Sequence, residues 1–333
     1  MMSQPARKVG RRKRVSNAIV GGLVLGGARI ACWLPGWPMW KLADFAGSVS
    51  YRVSGARRDR ARRNLRRIVQ WMAANHVGPE EYRRAATDDR ALEKVVKSLF
   101  RHHIRYYVEA ARAPRVNARF FAEHVVIETP EIVDEAFARG QSSPLIMLAL
   151  HFGPVEMPAI YAAGRLKGIV APTEVLGNPG IQKFIVDSRE RVGLQLVPME
   201  EGATAMPAAL REGKSLGIIA DRDMTGGGIE VELFGGKAKI PVGPVLLGLQ
   251  HNVPVYVCGM RRTATGGYRA NLREVLDPGG PSKRERMHTM AQAEAHIFEQ
   301  IIVDAPDQWL AAFHRVWPDL EETAVAEKPD GQG

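Results

Sequence analysis

The chain has 333 residues, 45% hydrophobic and 25% charged, with 46 Lys+Arg against 36 Asp+Glu for a formal charge of +10. That apolar content suffices for one large core or two modest ones and excludes intrinsic disorder. A collagen-like chain would need a strict glycine period and a multi-spanning membrane protein several uncharged stretches of about 18 residues or more; neither pattern is present.

Charge is divided unevenly along the chain. Met1–His124 carries 26 Lys+Arg and 9 Asp+Glu, a net of +17, and the remainder carries 20 and 27, a net of −7. A basic front joined to a mildly acidic body predicts a polyanionic partner, either nucleic acid or anionic lipid. Arg7, Lys8, Arg11, Arg12, Lys13 and Arg14 precede the uncharged run Asn17–Ala28, which superficially copies a signal peptide. Arg29 interrupts the run, no small-residue cleavage site comes after it, and apolar character resumes over Ile30–Trp40 with Trp33, Trp37 and Trp40. Two short runs split by an arginine fit a segment lying in the headgroup plane better than a spanning helix, and indole rings favour that depth. A helix packed on its own domain is the alternative.

A second basic block spans Arg52–Arg67. On a helix its arginines surround most of the cylinder and leave Ala61, Leu65 and Ile68 to a core, so the block reads as a solvated face or as a set of lipid-phosphate contacts. No aromatic interleaving or reading-head motif supports nucleic acid. Ala91–Arg115 has helical periodicity through Leu92, Val95, Val96, Leu99, Ile104, Tyr107 and Val108. Its adjacent His102 and His103 point about 100° apart, which suits a polar face better than a metal site.

The body then alternates. Leu145–Leu150 (LIMLAL) is a buried strand succeeded by a helix over Val155–Arg165; Ile169–Pro172 is a strand and Ile181–Val192 a helix. Leu194–Pro198 is a strand, Thr204–Arg211 a helix ended by Gly213, Leu216–Ala220 (LGIIA) a strand, Val245–Gln250 helical and Val253–Cys258 a strand. Ser282–Ile302 is a long closing helix, and the tail after Glu321 is polar. This pattern predicts an α/β fold with a mainly parallel central sheet flanked by helices. Residues 1–124 form a basic helical membrane-facing region of the same unit, 125–320 the α/β core and 321–333 the tail. Cys32 and Cys258 are too few for a disulfide framework or a cysteine zinc site and read as buried small hydrophobes.

In such sheets functional groups gather where strands end. His151 stands directly after LIMLAL; Gly153 permits a close turn, Pro154 suits a first helical turn, and Glu156 is placed to reach back to the imidazole. The histidine could act as general base with the carboxylate fixing its tautomer, or be structural. Asp221, Arg222 and Asp223 stand after LGIIA; the two carboxylates could bind a divalent ion or pair with Arg222 and neighbouring cations.

The ordered motifs resemble the glycerolipid-type acyltransferases. His151–Glu156 matches their H-x-x-x-x-D/E signature, and the segments C-terminal to it resemble the bacterial branch of lipid A late acyltransferases and phosphatidylinositol mannoside acyltransferases. The matching pieces are Asn178-Pro179 with Arg189–Gly193, the Ala220–Asp223 stretch, Ile229–Gly236, Ala238–Pro244, and Asp307-Gln308-Trp309 with Trp317. The resemblance runs from about Val20 to Leu320 and is nearest the mannoside enzymes. It implies transfer of a fatty acyl group from acyl-CoA to a sugar hydroxyl of a phosphatidylinositol mannoside, by a peripheral protein on the cytoplasmic face of the plasma membrane. By the family pattern His151 is the base, Glu156 its partner and Glu230 a further catalytic residue. Glu174, Arg189, Asp221, Arg222 and Asp223 are substrate-binding. Acyl-CoA is a co-substrate, and no metal or redox cofactor is implied. Backbone N–H groups of the helix start beyond Gly153 are expected to hold the oxyanion. The expected partners are anionic lipid and the glycolipid acceptor, not nucleic acid, and a monomer is expected. A lipid A-type or other lysophospholipid acyltransferase is the alternative; an inactive membrane adaptor and a nucleic-acid-binding protein are distant ones.

Overall fold

The computed structural model describes residues 36–174, 179–224 and 226–321. The basic run 7–14, the apolar run 17–28, Cys32, Trp33, Asn178 and the tail from 322 lie outside them.

Apolar runs flanked by helical segments fold here into strands. In chain order these are β1 (Val125–Ile127), β2 (Ile146–Ala149), β3 (Ile169–Thr173), β4 (Leu194–Pro198), β5 (Ser215–Ile219), β6 (Ile229–Leu233), β7 (Gly236–Ile240), β8 (Val255–Arg262) and β9 (Tyr268–Val275). All but β6 and β7 join one seven-stranded sheet in the order β1-β9-β8-β2-β5-β3-β4, with every neighbouring pair parallel except β8 and β9. β2 and β5 sit at its centre and are covered on both sides, which explains their continuous apolar sequence. Alternate residues serve opposite layers. Ile146 and Leu148 face a core shared with helices Gly55–Ala74, Asp89–Arg112 and Lys283–Ile302, whereas Leu145 and Met147 face helices Pro130–Gly140 and Glu156–Ala163.

The mainly parallel α/β expectation agrees with this sheet, but β1 and β9 escape periodicity and β8 is longer than expected. β1 has three residues; β9 (YRANLREV) intersperses charge; and β8 runs on past Cys258 to Arg262. A charged strand end is tolerated there because Arg262 is buried against Glu109, with Tyr268 adding a hydrogen bond to the same carboxylate. β6 and β7 pair separately as a hairpin. Its turn needs left-handed backbone at Phe234 (φ 50°) and Gly235 (φ 67°), and buried Phe234 anchors it edge-on to Trp71. The Leu-Phe-Gly-Gly motif is thereby a turn.

The basic front is folded onto the body. Helix Asp89–Arg112 starts at Asp88, whose carboxylate accepts from Arg90 N and Ala91 N. His102 and His103 are not on a solvated face: His102 Nδ1 lies 3.2 Å from Arg262, and His103 Nε2 lies 3.0 Å from Arg57. Helix Gly55–Ala74 buries Ala61, Leu65 and Ile68 as expected, together with Asn64, Val69 and Met72. Its arginines are mostly ion-paired: Arg60 and Arg63 to Glu321, Arg62 to Asp59 and Glu93, Arg66 to Asp89, and Arg67 to Asp319. The block is thus less free for lipid phosphate than its sequence suggests. Helix Gly36–Val53 crosses Asp89–Arg112 closely at Gly47, where a Cβ would meet Arg101 backbone at 2.5 Å. Its other side exposes Trp37, Leu42, Phe45, Val49 and Val53. Among the described residues no helix is long and apolar enough to cross a membrane.

Candidate active site

Parallel pairing of β2 with β5 places Ala149 opposite Ile219, and Ala220 N bonds Ala149 O at 2.9 Å. One step further, His151 and Asp221 meet. The imidazole Nδ1 lies 2.6 Å from Asp221 Oδ1, and the His151 backbone N–H donates to Asp221 Oδ2 at 2.9 Å. Trp309 Nε1 donates to the same Oδ2 at 2.7 Å. Burial pushes the Asp221 pKa up, but the His151 charge and the hydrogen bonds from His151 and Trp309 outweigh it and hold the carboxyl below its usual range. An acceptor at Nδ1 fixes the tautomer that leaves Nε2 unprotonated, and the ring is about a third exposed (32%) while Asp221 is closed off.

The loop beyond His151 is clamped. Gly153 has φ 57°, and a Cβ there would meet Met260 O at 2.0 Å, so only glycine fits. Leu310 N donates to His151 O at 2.6 Å and Gly153 N to Gln308 O at 3.0 Å. The Gln308 side chain in turn brackets the Arg262 backbone, accepting from its N–H and donating to its C=O. Asp307 accepts from Tyr82 and Ser98. The segment Asp307-Gln308-Trp309 therefore positions the histidine, a role its sequence did not disclose.

Glu156 does not partner His151. The chain turns at Pro154-Val155 and starts its helix at Glu156, whose carboxylate binds Arg189 through two bonds of 2.7 and 3.0 Å and accepts from Tyr106 at 3.4 Å. Asp221, expected among substrate contacts, takes the orienting place. Burial lowers the Arg189 pKa, but Glu156 beside it prevails and raises it. Glu230 stands on the exposed face of the hairpin, 2.9 Å from Lys237, and is not brought to His151. Asp223 accepts from Gly226 N and Gly228 N at 2.9 Å and builds the loop, so it does not converge with Asp221 on a metal. Arg222 succeeds Asp221 at the site's edge, and Glu174 is exposed at the end of β3. The expected oxyanion donors are largely engaged: Val155 N bonds Gly153 O and Met157 N bonds Pro154 O. Cys258 is half-buried with its Sγ donating to Leu148 O, and desolvation pushes its thiol up to about 12.

The chain matches the family described as "Bacterial lipid A biosynthesis acyltransferase" over residues 11–318, and it belongs to that family. Among curated relatives, a phosphatidylinositol mannoside acyltransferase of Mycobacterium tuberculosis is 28% identical over 193 residues, covering 53% of this chain and 59% of that protein. One of Mycolicibacterium smegmatis is 21% identical over 216 residues, covering 64% and 66%. The chain thus spans less than two thirds of the relatives it matches. The structure of a 1-acyl-sn-glycerophosphate acyltransferase, PlsC, from Thermotoga maritima is 14% identical with a TM-score of 0.35, covering 61% of this chain and 86% of that one.

Proposed function

We propose that the protein transfers a fatty acyl group from acyl-CoA to a sugar hydroxyl of a glycolipid, with a phosphatidylinositol mannoside as acceptor. The observation that carries this reading is the His151–Asp221 pair, with a buried carboxylate on Nδ1 of an imidazole that is itself about a third exposed. Nε2 takes the hydroxyl proton as the oxygen attacks the thioester carbonyl; the tetrahedral adduct collapses with loss of the thiolate, and the imidazolium returns the proton to sulfur. Asp221 stabilises the transient cation, and such base catalysis contributes roughly 10²–10⁴ in rate. No acyl-enzyme is needed. The mannoside acceptor for which the mycobacterial relatives are named supports the acceptor class.

The reading is tested by mass spectrometry of lipid products formed from acyl-CoA and phosphatidylinositol mannoside. His151→Ala should lose transfer by at least about 100-fold while keeping its thermal melt; near-normal turnover would sink the mechanism, and no transfer by the unaltered protein would sink the function.

Membrane attachment at the cytoplasmic face is part of the proposal, supported by the exposed Trp37, Phe45, Val49 and Val53 on one helix, beside Lys41 and Arg52. Phe45→Asp with Val49→Asp should release the protein from anionic vesicles in sedimentation. Undiminished binding refutes that face as the anchor.

A further inference from the structure

Seven arginines lie on helix Gly55–Ala74, and Arg57 is the one that meets no carboxylate among the described residues. Its Nη2 donates to His103 Nε2 at 3.0 Å, and its guanidinium lies 3.8 Å from the centre of the Phe313 ring. Phe313 closes the short turn whose Leu310 N–H holds His151 O, and His314 comes next in the chain. Arg222 is next to Asp221 in the chain. Among the described residues its side chain meets only Met224 Sδ at 2.6 Å, a weak acceptor.

Arg57 is packed on Phe313 and Arg222 follows Asp221, and neither meets a carboxylate among the described residues. His314 shows the result: first burial, then the charges of Arg222, His151 and Arg57 hold its pKa down to about 4, and Asp221 opposes them only weakly. His103 is likewise lowered to about 4, by burial and then by Arg57 and His314. Asp221, the acid nearest to hand, is already committed to His151 and Trp309. A gathering of like charge is unfavourable unless an anion joins it, and guanidinium forks match phosphate oxygens in pairs.

We propose that Arg57, Arg222 and His314 form a subsite for a phosphate ester carried by a substrate bound at His151. The inference rests on the acyl-transfer reading, in which both reactants bear phosphate: the coenzyme on its nucleotide, the glycolipid in its phosphodiester. Arrival of the anion favours protonation of His314, which then adds a third positive charge. The hydrogen bond to His103 and the Phe313 face hold the Arg57 fork in place while it is empty.

The experiment is steady-state kinetics of Arg57→Gln and Arg222→Gln with substrates lacking phosphate in turn. With acyl-CoA and phosphatidylinositol mannoside, each variant should raise one KM about 10- to 100-fold and lower kcat less. If the penalty vanishes with an acyl-N-acetylcysteamine donor, the coenzyme phosphate is the ligand; if it vanishes with an alkyl mannoside acceptor, the lipid phosphodiester is. A penalty that persists with both phosphate-free substrates, or its absence with the natural pair, overturns the subsite. A second measurement needs no turnover: the NMR titration of His314 with coenzyme A and with glycerophosphoinositol. One of the probes should raise its pKa, and Arg57→Gln should abolish the rise; no response to either overturns the inference. A response in a protein that transfers no acyl group would sustain the subsite and remove the proposed reaction.

Discussion

Two of the buried carboxylates, Asp221 at 3% exposure and Glu294 at 0%, have opposite environments. Asp221 ends β5 and receives hydrogen bonds from the His151 backbone, the His151 ring and Trp309, so its charge is kept. Glu294 lies within helix Lys283–Ile302 with neither oxygen partnered, and burial pushes its pKa well above the usual range. Burial alone makes a neutral side chain. Donors converging on a buried acid make a fixed negative charge, which can hold an imidazole in one tautomer and stabilise the imidazolium.

The largest test of this contrast is Asp221→Asn. The amide fills the same space, but its oxygen stays where it accepts from the His151 and Trp309 N–H groups, so its NH2 faces Nδ1 and holds the wrong tautomer, and kcat should fall by about 10³–10⁴. Acyl transfer assayed alongside a thermal melt separates this from unfolding. A loss below about tenfold in a folded variant would mean that the carboxylate is as incidental to chemistry as Glu294.

A smaller effect is expected one bond further out. Trp309→Phe keeps an apolar ring beneath Asp221 and removes only the Nε1–H donor. With one donor fewer, the carboxylate draws the imidazole proton more strongly, so kcat/KM should drop about tenfold and its acid limb move to higher pH by about half a unit. A purely structural tryptophan would change the melt and leave the pH profile in place.

What the sequence disclosed divides along the same lines. LIMLAL and LGIIA were legible as central strands, and His151 and Asp221 as groups at their ends, because continuous apolar runs and strand termini are local features. Their pairing was not legible, since it depends on β2 and β5 being neighbours and on a register that joins residues 70 apart. One cue existed: both runs end the same distance before their polar residue. Spacing within the motif pointed instead to Glu156, but that acid opens a new helix and is captured by Arg189 from another. Trp309 was visible only as part of a family segment, because its task is defined by a partner 88 positions away. Arg57 looked like its six neighbours; only the carboxylates supplied by other elements single it out. β9 and the β6–β7 hairpin went unread because charged residues on their exposed faces mask the apolar alternation.

The smallest effect concerns Glu294 and falls on stability rather than on catalysis. Below an unfolded-state pKa of about 4.3 both folded and unfolded chains carry the proton, and the residue imposes no linkage cost. As pH rises, the unfolded chain ionises and the folded one does not, so stability is lost by up to about 1.36 kcal/mol per pH unit until the raised folded-state pKa is reached. Glu294→Met removes the titration and supplies an apolar side chain to a site already enclosed by apolar residues. It should therefore unfold at higher denaturant concentration than the parent, by about 1–3 kcal/mol near pH 7, with acyl transfer retained. Because every other titrating group is shared, the difference between the two proteins isolates this one: it should widen as pH rises above the unfolded-state value. A gap of constant size would mean that the Glu294 proton is lost in the folded protein as readily as in the unfolded chain, and that an unsatisfied buried acid can keep its charge without donors.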